Sequence, residues 1–320
     1  MIDSWRQIFV LVLFGVISAG TALAQTTTSG EQQCVARGWR SVIVNVAGLE
    51  RRALWKGPEG PWTKGAILAL HGGGGRHFGF CAVTWRLIEP QVRFTELALA
   101  EGFAVFLLDS TDRFTDADGR ACGKAWDDQV QNRPNLDLPF IGAVIAKLIP
   151  SLRPRASRNE IFLTGLSSGG YMTVRTATHF DDRITAFAPV SSGDPYGWHR
   201  TCDPSLTARR VVRGVGLDNE TGKRISERGA CQAPSYPNER PWDSARPAKK
   251  PVFRLFHHEN DAIHDFSCGE KVRRQLLAHG YPEAPPFIVR GGIRRLVHHF
   301  WLDAYNRPLL DFFTSQLGRN

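Results

Sequence analysis

Short apolar runs along the chain alternate with longer stretches in which apolar residues recur at helical spacing. Ser41 to Val46 alternates apolar and polar side chains, the period of a half-buried edge strand. The runs 66–70, 103–108, 161–164, 184–190 and 252–256 are nearly continuous in apolar residues, and 286–289 adds a short last one. Strands covered by helices on both faces read this way, so these runs predict a mostly parallel sheet. Helical spacing predicts helices over 94–101, 138–152, 168–180, 268–279 and 301–317, with Gly102 stopping the first. Strand–helix–strand alternation without an evident linker predicts one doubly wound α/β domain over 25–320. Residues 193–250 break the rhythm, being rich in proline and charge and poor in apolar periodicity. They predict a loop-rich, lid-like insertion over the carboxyl edge of the sheet.

Residues 1–24 follow a different pattern. Arg6 precedes an apolar run from Ile8 to Ala19, and Ala22-Leu23-Ala24 offers a small-x-small cleavage site before Gln25. These are the parts of a secretory signal peptide, and the run is shorter than the roughly 18 apolar residues of a spanning helix. The expectation is a secreted or periplasmic protein with no stable membrane insertion after cleavage. Export changes the reading of the six cysteines, which all fall in the mature chain and form no C-x-x-C. Disulfides are expected in an oxidising compartment, with Cys202 and Cys231 paired inside the insertion. The net charge of +9 comes from basic residues scattered singly and in pairs, such as Arg209-Arg210 and Arg294-Arg295. A basic strip interleaved with stacking aromatics is missing from the sequence, so no nucleic-acid partner is expected.

Gly165-Leu166-Ser167-Ser168-Gly169-Gly170 lies between a strand pattern and a helix pattern. A G-x-S-x-G string is a weak signal alone, but on a strand–turn–helix it is the nucleophile elbow. Small flanking residues let the turn close sharply, exposing the Ser167 hydroxyl at the carboxyl end of its strand. The following helix aims its first N–H groups at the same point, where an oxyanion would develop. The strand at 66–70 runs into His71-Gly72-Gly73-Gly74-Gly75, a glycine loop fit to supply a second backbone donor without a Cβ to block the acyl group. The expected donors are the N–H of Gly73 or Gly74 together with that of Ser168. A phosphate-binding loop is excluded because Arg76 and His77 follow the glycines where Lys and Ser/Thr would be required.

The remaining partners should follow in the order acid, then histidine. After the run at 252–256, His257-His258-Glu259-Asn260-Asp261 offers Asp261 as the acid, with Asp265 in reserve. After the last run, His298 and His299 stand where one histidine is needed, and His299 is preferred. His257, His258, Asp261 and His264 lack an H-E-x-x-H or a helical histidine pair, so no metal and no cofactor is expected. Trp198 and Tyr196 in the insertion, and Trp85 after the glycine loop, are candidates for lining a substrate pocket.

On Leu70-His71-Gly72-Gly73-Gly74, on 161–172, and on Ala188-Pro189-Val190 with Ser191 and Ser192, the chain resembles secreted α/β-hydrolases of the polyhydroxybutyrate depolymerase and feruloyl esterase type. The resemblance runs from about 64 to 316, with the insertion diverging. It implies the α/β-hydrolase fold, Ser167 as nucleophile and an acid within an H-G-x-x-D loop, which Asp261 matches except that His258 replaces the glycine. The family's histidine usually stands two residues before a tryptophan, which selects His299 ahead of Trp301. The implied activity is hydrolysis of a small or oligomeric ester, of hydroxyalkanoate or aromatic type, through an acyl-enzyme. Two other readings stand beside it. Gly169-Gly170-Tyr171-Met172 also resembles serine peptidases of the prolyl oligopeptidase type, and a hydrolase fold can also serve as an inactive binding module.

Overall fold

The apolar runs become strands because helices cover both of their faces. The computed structural model describes residues 30–112, 114–115, 121–128, 134–196 and 249–319. The signal-peptide expectation, most of the insertion, Trp198, Cys202 and Cys231 lie outside those residues.

In chain order, α1 (30–36) leads into β1 (Arg40–Val46), β2 (Leu49–Lys56) and β3 (Ala66–Leu70). Next come α2 (Glu89–Ala100), β4 (Ala104–Leu108) and a hairpin of β5 (Phe114–Thr115) with β6 (Ala121–Gly123). Helix α3 begins at Leu138–Ala143 and continues through a π-helical stretch, Val144–Leu148, into Ile149–Leu152, where Pro150 removes a backbone donor. Then follow β7 (Ile161–Leu166), α4 (Ser168–His179), β8 (Ala186–Val190), β9 (Val252–Phe253) and β10 (Phe256–His258). The chain closes with α5 (Phe266–Ala278), β11 (Phe287–Val289) and α6 (Asp303–Thr314).

Among the described residues the main sheet runs β1-β2-β4-β3-β7-β8-β10-β11, with β9 also paired to β8. From β4 to β11 every pairing is parallel, while β1 and β2 add an antiparallel edge. Helices α3, α4 and α5 pack on one face, through residues such as Ile141, Val174 and Leu276. Helices α1, α2 and α6 pack on the other, through Cys34, Phe94 and Leu310. A disulfide between Cys34 and Cys81 ties α1 to the segment that follows the glycine loop, and Cys268 on α5 is also disulfide-bonded.

Strand β2 departs from the expected apolar pattern. Its Arg51 is buried, and its guanidinium donates to the Asp137 carboxylate and to the carbonyl oxygens of Leu136 and Asp109. Val46 pairs with Leu49 across Ala47 and Gly48, both at positive φ, a two-residue hairpin turn that suits the twist of the strands. The run at 252–256 also divides into two strands, and β10 extends to His258. His257 and His258 therefore belong to the sheet and not to the loop beyond it.

Candidate active site

Strand β7 enters α4 through Ser167, whose φ of 55° and ψ of −120° place a non-glycine residue in a sparsely populated region. The surroundings hold that conformation. The Ser167 N–H donates to the Val190 carbonyl at 3.0 Å, and its own carbonyl accepts from Gly170 at 2.8 Å and Tyr171 at 3.0 Å. Two glycines permit the turn to pass under the end of β3. A Cβ on Gly165 would lie 2.4 Å from the Gly169 carbonyl oxygen, and one on Gly169 would lie 2.3 Å from that of Leu70.

The glycine loop packs against this turn. A Cβ on Gly72 would stand 3.6 Å from the Ser167 Cβ, and one on Gly73 would stand 3.8 Å from the Ser168 Cβ. The buried His71 sets the loop's direction. The Ser110 N–H donates to His71 Nε2 at 3.1 Å, so the ring proton sits on Nδ1 and is donated to the Gly72 carbonyl at 2.8 Å. Gly75 donates to the same carbonyl at 3.0 Å. In a trans peptide the C=O and N–H point in opposite directions, so fixing the Gly72 carbonyl turns the Gly73 N–H to the other side. The Gly74 N–H, the alternative donor expected from sequence, instead donates to the Lys124 carbonyl at 2.6 Å. The Ser168 N–H lies at the first position of α4, and its hydroxyl accepts from the Trp126 N–H at 3.1 Å and donates to Asp128 at 3.0 Å.

The acid and histidine segments meet at the carboxyl end of β10 and β11. His299 Nδ1 donates to Asp261 Oδ2 at 2.9 Å. The other carboxylate oxygen accepts the N–H groups of Ile263 at 2.7 Å and His264 at 3.0 Å. Asp261 is completely buried, and burial alone would raise its carboxyl. The charge and hydrogen bond of His299, with the nearby charges of His257 and His264, outweigh that and hold it well below the usual carboxylate range. Asn260 fastens the two segments together. Its side-chain amide donates to Gly291 and Gly292, and its carbonyl accepts from the Arg295 N–H and from His298 Nδ1.

The same geometry separates the paired candidates. Asp265 caps α5 by accepting the Ser267 N–H at 3.0 Å, and its second oxygen takes Arg294 at 3.1 Å. His298 turns away from Asp261 and stacks on His258, with ring centroids 3.7 Å apart and planes at 10°. Of the pocket candidates, Tyr196 is buried against α4, its hydroxyl 2.5 Å from that of Thr178, while Trp85 is half exposed and packs edge-on to Phe300 at 5.1 Å. Trp198 lies outside the described residues.

Sequence reasoning missed the groups that brace the glycine loop. Asp109, just beyond β4, accepts from the Lys124 ammonium at 2.8 Å and from the His77 N–H at 3.2 Å. Trp126 Nε1 donates to the His71 carbonyl at 2.7 Å. A carboxylate directly after a buried strand, at the edge that carries the elbow, was the one available signal. Among the described residues no cluster of three or more metal-ligating side chains occurs.

No protein-family profile and no curated protein matches the chain by sequence. Solved structures match it by shape. An arylesterase superposes with a TM-score of 0.52 at 16% identity, covering 87% of this chain and 84% of its own. The acylaminoacyl peptidase of Pyrococcus horikoshii superposes with a TM-score of 0.52 at 15% identity, covering 88% of this chain. That match takes in 42% of the peptidase, so this chain corresponds to less than half of it. With a mostly parallel sheet, helices on both faces and these structural neighbours, the chain has the α/β-hydrolase fold.

Proposed function

We propose that this chain is an exported serine hydrolase that cleaves carboxylic esters through Ser167, His299 and Asp261. The observation that carries the reading is the buried Asp261–His299 hydrogen bond, made at the carboxyl edge of the sheet where β7 delivers a strained Ser167. His299 takes the hydroxyl proton as Ser167 Oγ attacks the ester carbonyl, and Asp261 holds the Nδ1–H tautomer and stabilises the imidazolium. The oxyanion is received by the N–H groups of Gly73 and Ser168, each contributing about 3 kcal/mol to lowering the barrier. His299 then protonates the departing alcohol, leaving an acyl group on Ser167. Water, deprotonated by His299, attacks that acyl carbonyl, and the serine takes the proton back as the acid leaves.

Asp265, His298 and Gly74 take no part in these steps, because each is engaged elsewhere. The half-exposed Trp85 with Phe300, next to His299, supports an ester with an apolar acyl or aromatic portion, of the hydroxyalkanoate or feruloyl kind. The Cys34–Cys81 disulfide supports export to an oxidising compartment. No helix among the described residues is long and apolar enough to cross a membrane.

The test is fluorophosphonate labelling of the purified protein with peptide mass spectrometry, run beside p-nitrophenyl butyrate hydrolysis and a matched anilide. An adduct on Ser167, with ester turnover abolished in Ser167→Ala, is the expected result. Folded protein without an adduct on Ser167 overturns the reading, and faster anilide than ester cleavage redirects it to a peptidase.

A further inference from the structure

His264 is the residue that the mechanism above does not use and that the structure wires most closely into the site. Its backbone N–H donates to Asp261 Oδ1 at 3.0 Å, and its carbonyl accepts from His257 Nε2 at 3.1 Å. Its ring stacks on that of His299, near-parallel at 14° with centroids 4.9 Å apart. Its Nδ1 is 3.0 Å from the hydroxyl of the buried Tyr171. Tyr171 stands in the first turn of α4, where its N–H bonds the Ser167 carbonyl. Ring contacts thus lead from the serine's own helix to the face of the candidate base.

A single hydrogen bond cannot hold an imidazole in its working orientation. The Nδ1–H to Asp261 contact fixes one point, while χ2 of histidine is a soft torsion with a broad well. The ring can tilt about that contact and carry Nε2 out of line with a hydroxyl that it must meet within a few tenths of an ångström. A second flat ring pressed on one face restricts that tilt. Phe300 closes from another direction, edge-on at 6.0 Å and 74°. Because Tyr171 anchors His264 to α4, the plane of His299 is set relative to the helix that Ser167 begins.

Resting on the esterase reading above, we propose that His264 is a positioning residue that fixes the ring plane of His299 by stacking, with Tyr171 as its anchor. A flat ring is what the role requires, and the nitrogens of His264 serve only to hold it in place. The proposal separates two substitutions that a merely structural role would not. His264→Phe keeps the stacked face and gives up the Tyr171 contact, whereas His264→Ala removes both.

The experiment uses the full mature protein and reads kcat, KM and the low-field proton resonance of the His299 Nδ1–H. His264→Ala should lower kcat by about 10- to 100-fold with KM changed by less than about twofold. His264→Phe, which keeps the stacked ring but loses the Tyr171 anchor, should fall between wild type and His264→Ala with kcat lowered by less than about tenfold, and the resonance should be sharp in wild type, broader in His264→Phe and broadest in His264→Ala. Wild-type kcat in His264→Ala overturns the proposal, as does His264→Phe being as impaired as His264→Ala. A loss confined to KM also overturns it, since that assigns His264 to substrate contact. If wild-type protein neither labels at Ser167 nor turns over ester, the esterase reading fails by itself. The resonance, which needs no turnover, then decides the clamp: equal line widths in wild type and His264→Ala overturn it.

Discussion

His299 donates from Nδ1 to Asp261 Oδ2 at 2.9 Å, and the carboxylate that receives this bond has no exposed surface. Its other oxygen is held by two backbone N–H groups, so the acid cannot turn away from the ring. A bond of this kind does two things. It selects the tautomer with a free Nε2, and it places a fixed negative charge where an imidazolium would form.

The neighbouring histidines should therefore behave very differently when replaced. His299→Ala is expected to lower kcat for p-nitrophenyl butyrate by about 10⁴-fold or more. His298→Ala loses a ring stacked on His258 and a contact to the Asn260 carbonyl, and should retain kcat within about threefold. Steady-state kinetics on the two variants checks this, and equal losses would remove His299 from its assigned role.

Asp261→Asn should reduce kcat by roughly 10⁴-fold, because an amide favours the wrong tautomer of the ring. It should also alter the acid stability. Asp261 is held below its ordinary value in the folded protein. Its contribution is thus present above the unfolded-state value of about 3.9 and is lost as the pH falls toward the lower folded value. Melting curves from pH 5 to pH 2 should show wild type losing more stability than Asp261→Asn over that interval. Parallel curves would contradict the argument.

Replacing His71 tests the oxyanion loop without touching the serine, the acid or the base. In His71→Ala the Gly72 carbonyl keeps only the Gly75 N–H, and the Gly73 N–H loses its fixed direction. An oxyanion donor is worth about 10²–10³ in kcat when removed outright, so loosening one should cost about 10- to 100-fold. The Asp261–His299 proton resonance should not change. A shifted resonance would mean that the variant disturbs the whole site and not the loop alone.

The Cys34–Cys81 disulfide closes a loop with a sequence separation of 47. Chain-entropy arguments give about 4 kcal/mol of stability for a loop of that size. The double variant Cys34→Ser, Cys81→Ser should lose about 2–4 kcal/mol in denaturant unfolding while its folded form keeps wild-type kcat. The buried bridge ties α1 to the segment that follows the glycine loop, far from Ser167 in the chain.

Much of the proposed site was legible because it is local. The elbow needs small residues on either side of Ser167, and the glycine loop needs the run after Leu70, so both appear as contiguous strings. The candidate acid and base were legible only as pairs of alternatives. Asp261 and Asp265 both follow the same strand in the chain, and His298 and His299 both precede Trp301. What separates each pair is a partner distant in sequence: Arg294 for Asp265, beside its local cap on Ser267, and His258 for His298.

Strand β2 shows the opposite limit. Glu50, Arg51 and Arg52 interrupt its apolar pattern, and the segment becomes a strand because Arg51 finds the Asp137 carboxylate across the fold. Hydrophobic periodicity reports how a segment meets its local environment, and a buried charge with a remote partner leaves no periodic trace. The alternation of apolar runs and helical stretches, with the two glycine-rich turns, was enough to specify a doubly wound sheet and the edge that carries the candidate site. The tertiary structure alone decided which acid meets which histidine, that the Gly74 N–H is spent on the Lys124 carbonyl, and that the His264 ring stacks on that of His299. Those are relations between side chains and peptide planes far apart in the chain, fixed by packing and directed hydrogen bonds that a linear order of residues does not contain.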